Sequence, residues 1–315
     1  LLLVIIKKKY IFVYYVLVTL LYFSCTSNRQ NLNISVRGKG SLFDDEESLD
    51  KILDRYVENG SFPFLYARLE HLDGSVLYEH SSINTELLPN TIVHRGTWIR
   101  IWSMSKIITI SLAMDLVEDG ILDLNDPVTK YIPEFNNLRV AVDDNGTSLA
   151  MRDDQSSSCP FQLETVESVM TISHLINHLS GFYYATTKIT CLNEILSDQN
   201  LPTALNSQEL IDRFAALPLI QHPGEKSFYG TNTTVLGLVA ERATGKSLDS
   251  LIRERLTQFL GIEGLKYNLS DNESLLPRFT GKDTVLRIAR DGELDIFGPD
   301  VPSNSTDNNV FLGGE

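Results

Sequence analysis

The sequence predicts a mixed α/β fold of the α+β kind: an antiparallel sheet flanked by helices, running into a long helical region. Three observations predict it. An amphipathic helix is followed at once by a two-strand hairpin signal. A strongly apolar helix comes next. Further helical stretches then fill much of the second half. The 315 residues are 43% apolar and 22% charged, ordinary globular proportions that exclude a disordered, collagen-like or low-complexity chain. That length allows one large domain or two lobes, at about 150 residues per domain.

The elements follow in chain order. Leu49, Ile52, Leu53, Tyr56 and Val57 share one helical face, and Asn59-Gly60 ends the helix. Phe62 to Leu72 and Ser75 to His80 are β-prone runs joined by Asp73-Gly74, a hairpin signal. Residues 103–119 read as a helix closed by Gly120, apolar nearly all round and therefore expected to be buried. Asp126-Pro127 opens a short segment that Pro133 breaks. Residues 140–168 are polar and irregular, with Asp143-Asp144-Asn145-Gly146 and Ser156-Ser157-Ser158, and read as a surface insertion. Helical stretches follow near 172–179, 207–217, 232–243 and 248–260, with Gly245 as a C-cap and Ser247 as an N-cap. No internal repeat is apparent.

The first 25 residues stand apart. Lys7, Lys8 and Lys9 precede an apolar run from Tyr10 to Phe23, then Ser24-Cys25. A basic block, a short apolar core and a small residue form a secretory signal pattern. The run is short for a membrane span, which needs about 20 apolar residues. Cys25 stands where a bacterial lipoprotein carries its lipidated cysteine, although Tyr22 replaces the usual small aliphatic residue. A cleaved signal peptide and an uncleaved anchor are the alternatives. Residues 26–45 then form a flexible tether, and 46–315 the folded domain. These features imply export to the periplasm or cell surface, with a membrane tether through the N-terminus. The segment Leu1 to Ile6 ahead of the lysines fits no signal peptide, and with Leu1 in place of Met the expectation is of a true start elsewhere.

Net charge is −14; with the three lysines of residues 1–25 set aside, 24 basic face 41 acidic residues, or −17. An acidic body argues against phosphate-backbone binding, which needs a basic face, so no nucleic-acid partner is expected. Cys159 and Cys191 could pair in an oxidising compartment, and no Cys-x-x-Cys suggests structural zinc.

Ser103-Met104-Ser105-Lys106 carries the strongest chemical signal. Helix positions i and i+3 lie about 5–6 Å apart at Cβ, so the Lys106 ammonium can reach the Ser103 hydroxyl. A lysine withdrawn from water can act as a base or tune one. A helix N-terminus favours developing negative charge. Ser105 lies on a different face. Alone, the tetrapeptide is equally a capping serine with a snorkelling lysine.

The surroundings are specific. Thr97-Trp98-Ile99-Arg100-Ile101-Trp102-Ser103-Met104-Ser105-Lys106, followed by Leu116 through Asp126-Pro127-Val128, resembles the nucleophile segment of the serine β-lactamase and penicillin-binding-protein superfamily, in the branch of class C β-lactamases and related esterases. His174-Leu175-Ile176-Asn177-His178-Leu179-Ser180-Gly181-Phe182 resembles that family's H-L-L-x-H-x-S-G-L element. Pro223-Gly224-Glu225-Lys226-Ser227-Phe228-Tyr229-Gly230-Thr231 resembles its P-G-x-x-x-x-Y-x-N segment. Val235 to Ala243, Thr244-Gly245-Lys246 and Leu260-Gly261 agree in order and spacing. The resemblance covers roughly residues 46–315.

It implies the serine β-lactamase/transpeptidase-like architecture, in which an all-helical lobe joins the sheet and the site lies between the lobes. It also implies a covalent serine hydrolase with no metal and no organic cofactor, acting on a small-molecule ester, amide or peptide. Ser103 would form an acyl-enzyme, Lys106 would help deprotonate it, and Tyr229 would act as base or proton relay. The Ser103 N–H and one from a late strand would form the oxyanion hole. Two departures follow. Thr231 stands where the family has Asn; as a substrate contact it lacks the amide fork, which favours an esterase or amidase over a strict β-lactamase. The family's Lys- or His-x-Gly strand motif has no counterpart here, because His222-Pro223-Gly224 immediately precedes the tyrosine loop. Phe311 to Glu315 resembles the Gly-rich turn ahead of the family's last helix and strands. The domain is therefore expected to be C-terminally incomplete, with the third motif and the full oxyanion hole beyond residue 315. A β-lactamase or D,D-peptidase proper, or a non-catalytic binding or sensor module, are the alternatives.

Other patterns are weaker. His174 and His178 are four apart, as in a zinc helix, but Leu175 stands where a metalloprotease needs Glu, so they read as core or capping residues. Gly245-Lys246-Ser247 mimics a P-loop end but has Ala240 where the first glycine belongs. No G-x-S-x-G elbow is present. N-x-S/T sequons occur at Asn145, Asn232 and Asn272, among others.

Overall fold

In the computed structural model the described residues are 46–151, 159–270, 273–281, 284–290, 293 and 312–314. The signal segment with Cys25, the 26–45 tether and Asn272 lie outside them. Helix α1 (Glu46–Glu58) precedes an antiparallel hairpin of β1 (Phe64–Glu70) and β2 (Val76–Ile83), paired from Phe64 with Ile83 to Glu70 with Val76. Polar clips hold α1 to the hairpin: the Tyr78 hydroxyl donates to Asp50 at 2.7 Å and His80 Nε2 meets Asp54 at 2.8 Å. The Asp73-Gly74 turn has Gly74 at φ +84°, a conformation in which a Cβ would be strained.

A 3₁₀ turn, Trp102–Met104, leads into α2 (Ser105–Glu118). The expectation of a helix buried all round does not hold. Lys106, Thr109, Leu112, Ala113 and Leu116 form its buried stripe, while Ile107 is 66% and Met114 43% exposed. The neighbours of α2 explain this, because the helices Asn232–Thr244 and Leu248–Ile252 cover one side of it.

Within residues 140–168, expected to be a surface insertion, residues 143–147 and 159–168 are exposed or half-buried, but 140–142 and 148–150 are buried. β3 (Arg139–Val142) pairs antiparallel with β4 (Gln162–Thr165), and Val140, Ala141, Val142, Leu149 and Ala150 are all buried. Val140 also bridges Leu219. The two buried valines of β3, each worth about 1.5–3 kcal/mol on leaving water, outweigh the polar turn that follows them.

The helical part comprises α3 (Ile172–Ile176), α4 (Thr190–Gln199), α5 (Ser207–Ala215), α6 (Asn232–Thr244) and α7 (Leu248–Ile252), which runs through a π-helical stretch, Arg253–Thr257, into Gln258–Leu260. A Cys159–Cys191 disulfide ties α4 to the segment before β4. Gly245 caps α6 in the left-handed conformation and Ser247 caps α7, its hydroxyl accepting from Ser250 N–H. Every residue of α6 from Asn232 to Ala240 is buried, because α2, α3, α5 and α7 surround it. Phe182 anchors the core beneath, 5.6 Å from Phe135 and 5.5 Å from Phe214 between ring centroids. A further antiparallel pair, β5 (Phe279–Thr280) and β6 (Arg287–Ile288), lies beyond α7 in sequence. The described elements are thus helices with antiparallel strand pairs, a mixed α/β arrangement.

Candidate active site

Ser103 sits in the 3₁₀ turn ahead of α2, exposed, just after Trp102 in the left-handed region at φ +49°. Such a backbone is uncommon for a large side chain and costs of order 1–3 kcal/mol where it persists. Ser105 turns back on its own helix, its hydroxyl donating to Trp102 O at 2.7 Å. Lys106, on the buried stripe, reaches outward instead: its Nζ donates to Ser103 Oγ at 3.2 Å.

Tyr229 arrives from the loop before α6. Its hydroxyl donates to Ser103 Oγ at 2.8 Å, across 126 residues of chain. Gly230 makes this approach possible, since a Cβ there would lie 2.2 Å from Phe182 O and 2.6 Å from Tyr183 Cα. The loop carrying Tyr229 is therefore pressed against the one carrying Tyr184. The Tyr184 hydroxyl accepts from Lys106 Nζ at 2.8 Å, and the two tyrosine rings lie 5.5 Å apart. Tyr184 lies outside the sequence motifs, two residues past the Ser180-Gly181-Phe182 turn, and that closeness is its one signal in the sequence.

Lys106 is 7% exposed and well held. Besides Ser103 and Tyr184, its Nζ donates to the Gly314 carbonyl and lies 4.9 Å from the Tyr229 ring centroid. Thr109, one turn on, donates to the Gly313 carbonyl. A Cβ on Gly314 would meet Lys106 Nζ at 3.2 Å, so the glycine pair suits this close approach. Aromatic faces and carbonyl oxygens are the partners an ammonium needs when it leaves water.

Thr231 is 1% exposed, immediately before α6, and its hydroxyl has no hydrogen-bond partner among the described residues. A bound molecule could touch it only after local movement. Asn232 of the sequon is fully buried, which closes it to glycosylation in the folded chain. His174 caps α3 in a box with Thr171 and burial holds it below the ordinary imidazole value. His178 packs its ring 4.9 Å from that of Tyr229; burial first, then the Lys106 charge, hold it below the ordinary value as well. No group of three His, Cys, Asp or Glu side chains among the described residues could hold a metal. Nor is any helix among the described residues long and apolar enough to cross a membrane.

Chemically, the arrangement is a serine hydroxyl contacted by two proton-bearing groups, an ammonium and a phenol, on an open face. Such a group can give up its proton, attack a carbonyl and receive a proton back.

A model of the Beta-lactamase family matches residues 49–300. ML-236A carboxylate methylbutanoyltransferase of Penicillium citrinum is 28% identical over 182 residues, 58% of this chain and 40% of that protein. Esterase EstB of Burkholderia gladioli is 27% identical over 223 residues, 70% of this chain and 51% of that one. These matches span about half or less of either relative. Among solved structures, EstCE1, described as a hydrolase with promiscuous acyltransferase activity, superposes with a TM-score of 0.62 at 22% identity, over 85% of this chain and 68% of its own.

Proposed function

The chain belongs to the Beta-lactamase family, and from that premise we propose that it cleaves an ester or amide through an acyl-enzyme on Ser103. The observation that carries the proposal is the convergence of Lys106 Nζ and Tyr229 OH on Ser103 Oγ, at 3.2 and 2.8 Å. In the first half-reaction Tyr229 reacts as the phenolate, its own proton given up to solvent with the Lys106 ammonium beside it, and takes the Ser103 proton. Ser103 Oγ bonds to the substrate carbonyl carbon, whose oxygen takes up the negative charge. The tetrahedral species collapses with cleavage of the bond to the leaving alcohol or amine, which receives the proton from Tyr229. In the second half, water or an alcohol gives its proton to the regenerated Tyr229 phenolate and attacks the acyl carbon; the acyl–Oγ bond breaks and Tyr229 returns that proton to Ser103.

Lys106 stabilises both the serine oxygen as it loses its proton and the phenolate, as an adjacent buried cation does for any developing anion. The exposure of Ser103 and the 53% exposure of Tyr229 favour small, accessible acyl groups and entry of a water nucleophile. A relative named as a methylbutanoyltransferase and one named as an esterase support acyl transfer to either kind of acceptor. Thr231, in place of an amide side chain, supports esters over β-lactams; its buried hydroxyl becomes a substrate contact only with local movement of the loop. Export belongs to the proposal too, carried by Lys7–Lys9 and the Tyr10–Phe23 run, with lipid attachment at Cys25. Loss of fatty-acid labelling in Cys25→Ser tests that part.

The test of the reaction is turnover of p-nitrophenyl butyrate beside turnover of nitrocefin, in wild type and Ser103→Ala. The proposal expects Ser103-dependent ester cleavage faster than β-lactam cleavage. Ester cleavage unchanged in Ser103→Ala, or none in wild type, contradicts it; so, for the ester preference, does faster nitrocefin turnover.

A further inference from the structure

Tyr229 is half exposed, yet its phenol makes a 2.8 Å contact with another exposed side chain. A ring in that position needs something to hold it. His178 supplies the contact. It follows α3 in the left-handed region at φ +57°, where a non-glycine residue is uncommon. Its carbonyl accepts from Phe228 N–H at 2.7 Å, which fastens it to the loop that carries Tyr229. Its ring lies 4.9 Å from the Tyr229 ring, inclined by 37°.

The tautomer of His178 can be read from Asn232. The Asn232 oxygen accepts from the Ser180 hydroxyl, while its nitrogen faces Phe182 O and Phe228 O at 3.4 and 3.5 Å. The amide nitrogen is therefore the end that points to His178 Nδ1, 3.0 Å away. A nitrogen that accepts from an amide N–H carries no proton, so the imidazole is neutral with its proton on Nε2. Protonating Nδ1 would set one N–H against another and place a second cation in the field of Lys106. Lys106 from α2 is the charged group acting on this ring and Tyr229 the titratable one packed on it; Asn232 and Ser180 carry no charge.

We infer that His178 is a positioning residue for Tyr229, a neutral imidazole locked in one tautomer by Asn232, whose ring clamps the phenol onto Ser103. The inference rests on the acyl-enzyme reading. It also gives a role to a histidine that the sequence marks only as a core or capping residue.

The experiment measures kcat and KM for p-nitrophenyl butyrate with the full chain, between about pH 5 and pH 8, where an imidazole titrates. Three variants separate the parts. His178→Ala removes ring and acceptor, His178→Phe keeps a ring without the acceptor, and Asn232→Asp offers Nδ1 a carboxylate that favours the protonated form. His178→Ala is expected to lower kcat about 10- to 100-fold, the loss that accompanies a small misplacement of a reacting group. KM should stay within about threefold, because no substrate contact is lost. His178→Phe should recover about tenfold of that loss and remove the acidic limb of kcat that His178 protonation produces. Asn232→Asp should move that limb to higher pH. A His178→Ala kcat within about threefold of wild type overturns the inference, as does an acidic limb unmoved in both other variants. If His178→Ala does not fold, the opposite pH shifts of His178→Phe and Asn232→Asp decide alone. Wild type lacking Ser103-dependent turnover removes the premise and the inference together; wild-type turnover indifferent to His178 removes the inference only.

Discussion

Tyr229→Phe removes one oxygen and leaves the ring. The ring contacts with His178 at 4.9 Å, Tyr184 at 5.5 Å and Lys106 at 4.9 Å all persist. The lost interaction is the 2.8 Å bond to Ser103, between two exposed side chains. A hydrogen bond of that kind contributes about 0.5–1.5 kcal/mol net, and solvent access puts this one at the low end. The melting temperature should therefore fall by at most about 4 °C. Catalysis should respond far more. A positioned proton-transfer group contributes about 10²- to 10⁴-fold. At 1.36 kcal/mol per tenfold, that is about 3–5 kcal/mol of barrier. The assay is stopped-flow release of p-nitrophenol, with the melting curve of the same preparation. A variant with kcat within about threefold of wild type would refute the assignment of Tyr229 as proton carrier. A variant that loses stability and activity in proportion would refute it equally, by making the residue structural.

Further outcomes follow from the same geometry. Gly230→Ala puts a Cβ 2.2 Å from Phe182 O; it should cost about 1–3 kcal/mol by overpacking and depress kcat with it, and an unchanged melting curve would contradict the close approach. Cys159 and Cys191 lie 32 residues apart in sequence, so reduction or a double Cys→Ala change should cost about 3–4 kcal/mol of loop entropy, visible as a lower melting temperature. His174 is held low by burial, so the folded state binds its proton less readily than the unfolded state does. That contribution to stability is complete above the ordinary imidazole value near 6.5 and is lost as pH falls through the lower folded value. Melting curves across that window should show a steeper acid decline in wild type than in His174→Asn.

Much of the fold was legible because local signals agreed with tertiary ones. The periodic face of α1, the Asp73-Gly74 turn and the caps at Gly245 and Ser247 all describe contacts that form within a few residues. Ser103 and Lys106 were legible for the same reason, since their pairing is a matter of helix spacing. Residues 140–142 were not. A strand of four residues gives too little alternation to register, and the polar turn after Val142 hid its burial against Leu219. The apolar face of α2 misled in the other direction: hydrophobicity marks a helix as fit for burial, but α6, with Asn232, Thr233 and Thr234, took the central place. Tyr184 and His178 join the site through a loop-to-loop contact that Gly230 permits, and no spacing in the sequence encodes that meeting.

The central claim is a covalent acyl group on Ser103. Rapid quenching with a slowly hydrolysed p-nitrophenyl ester, followed by intact-mass and peptide mass spectrometry, tests it directly. The account predicts one acyl group per chain on the peptide containing Ser103, and none in Ser103→Ala. An adduct on a different side chain, or ester turnover with no adduct on Ser103, would contradict it.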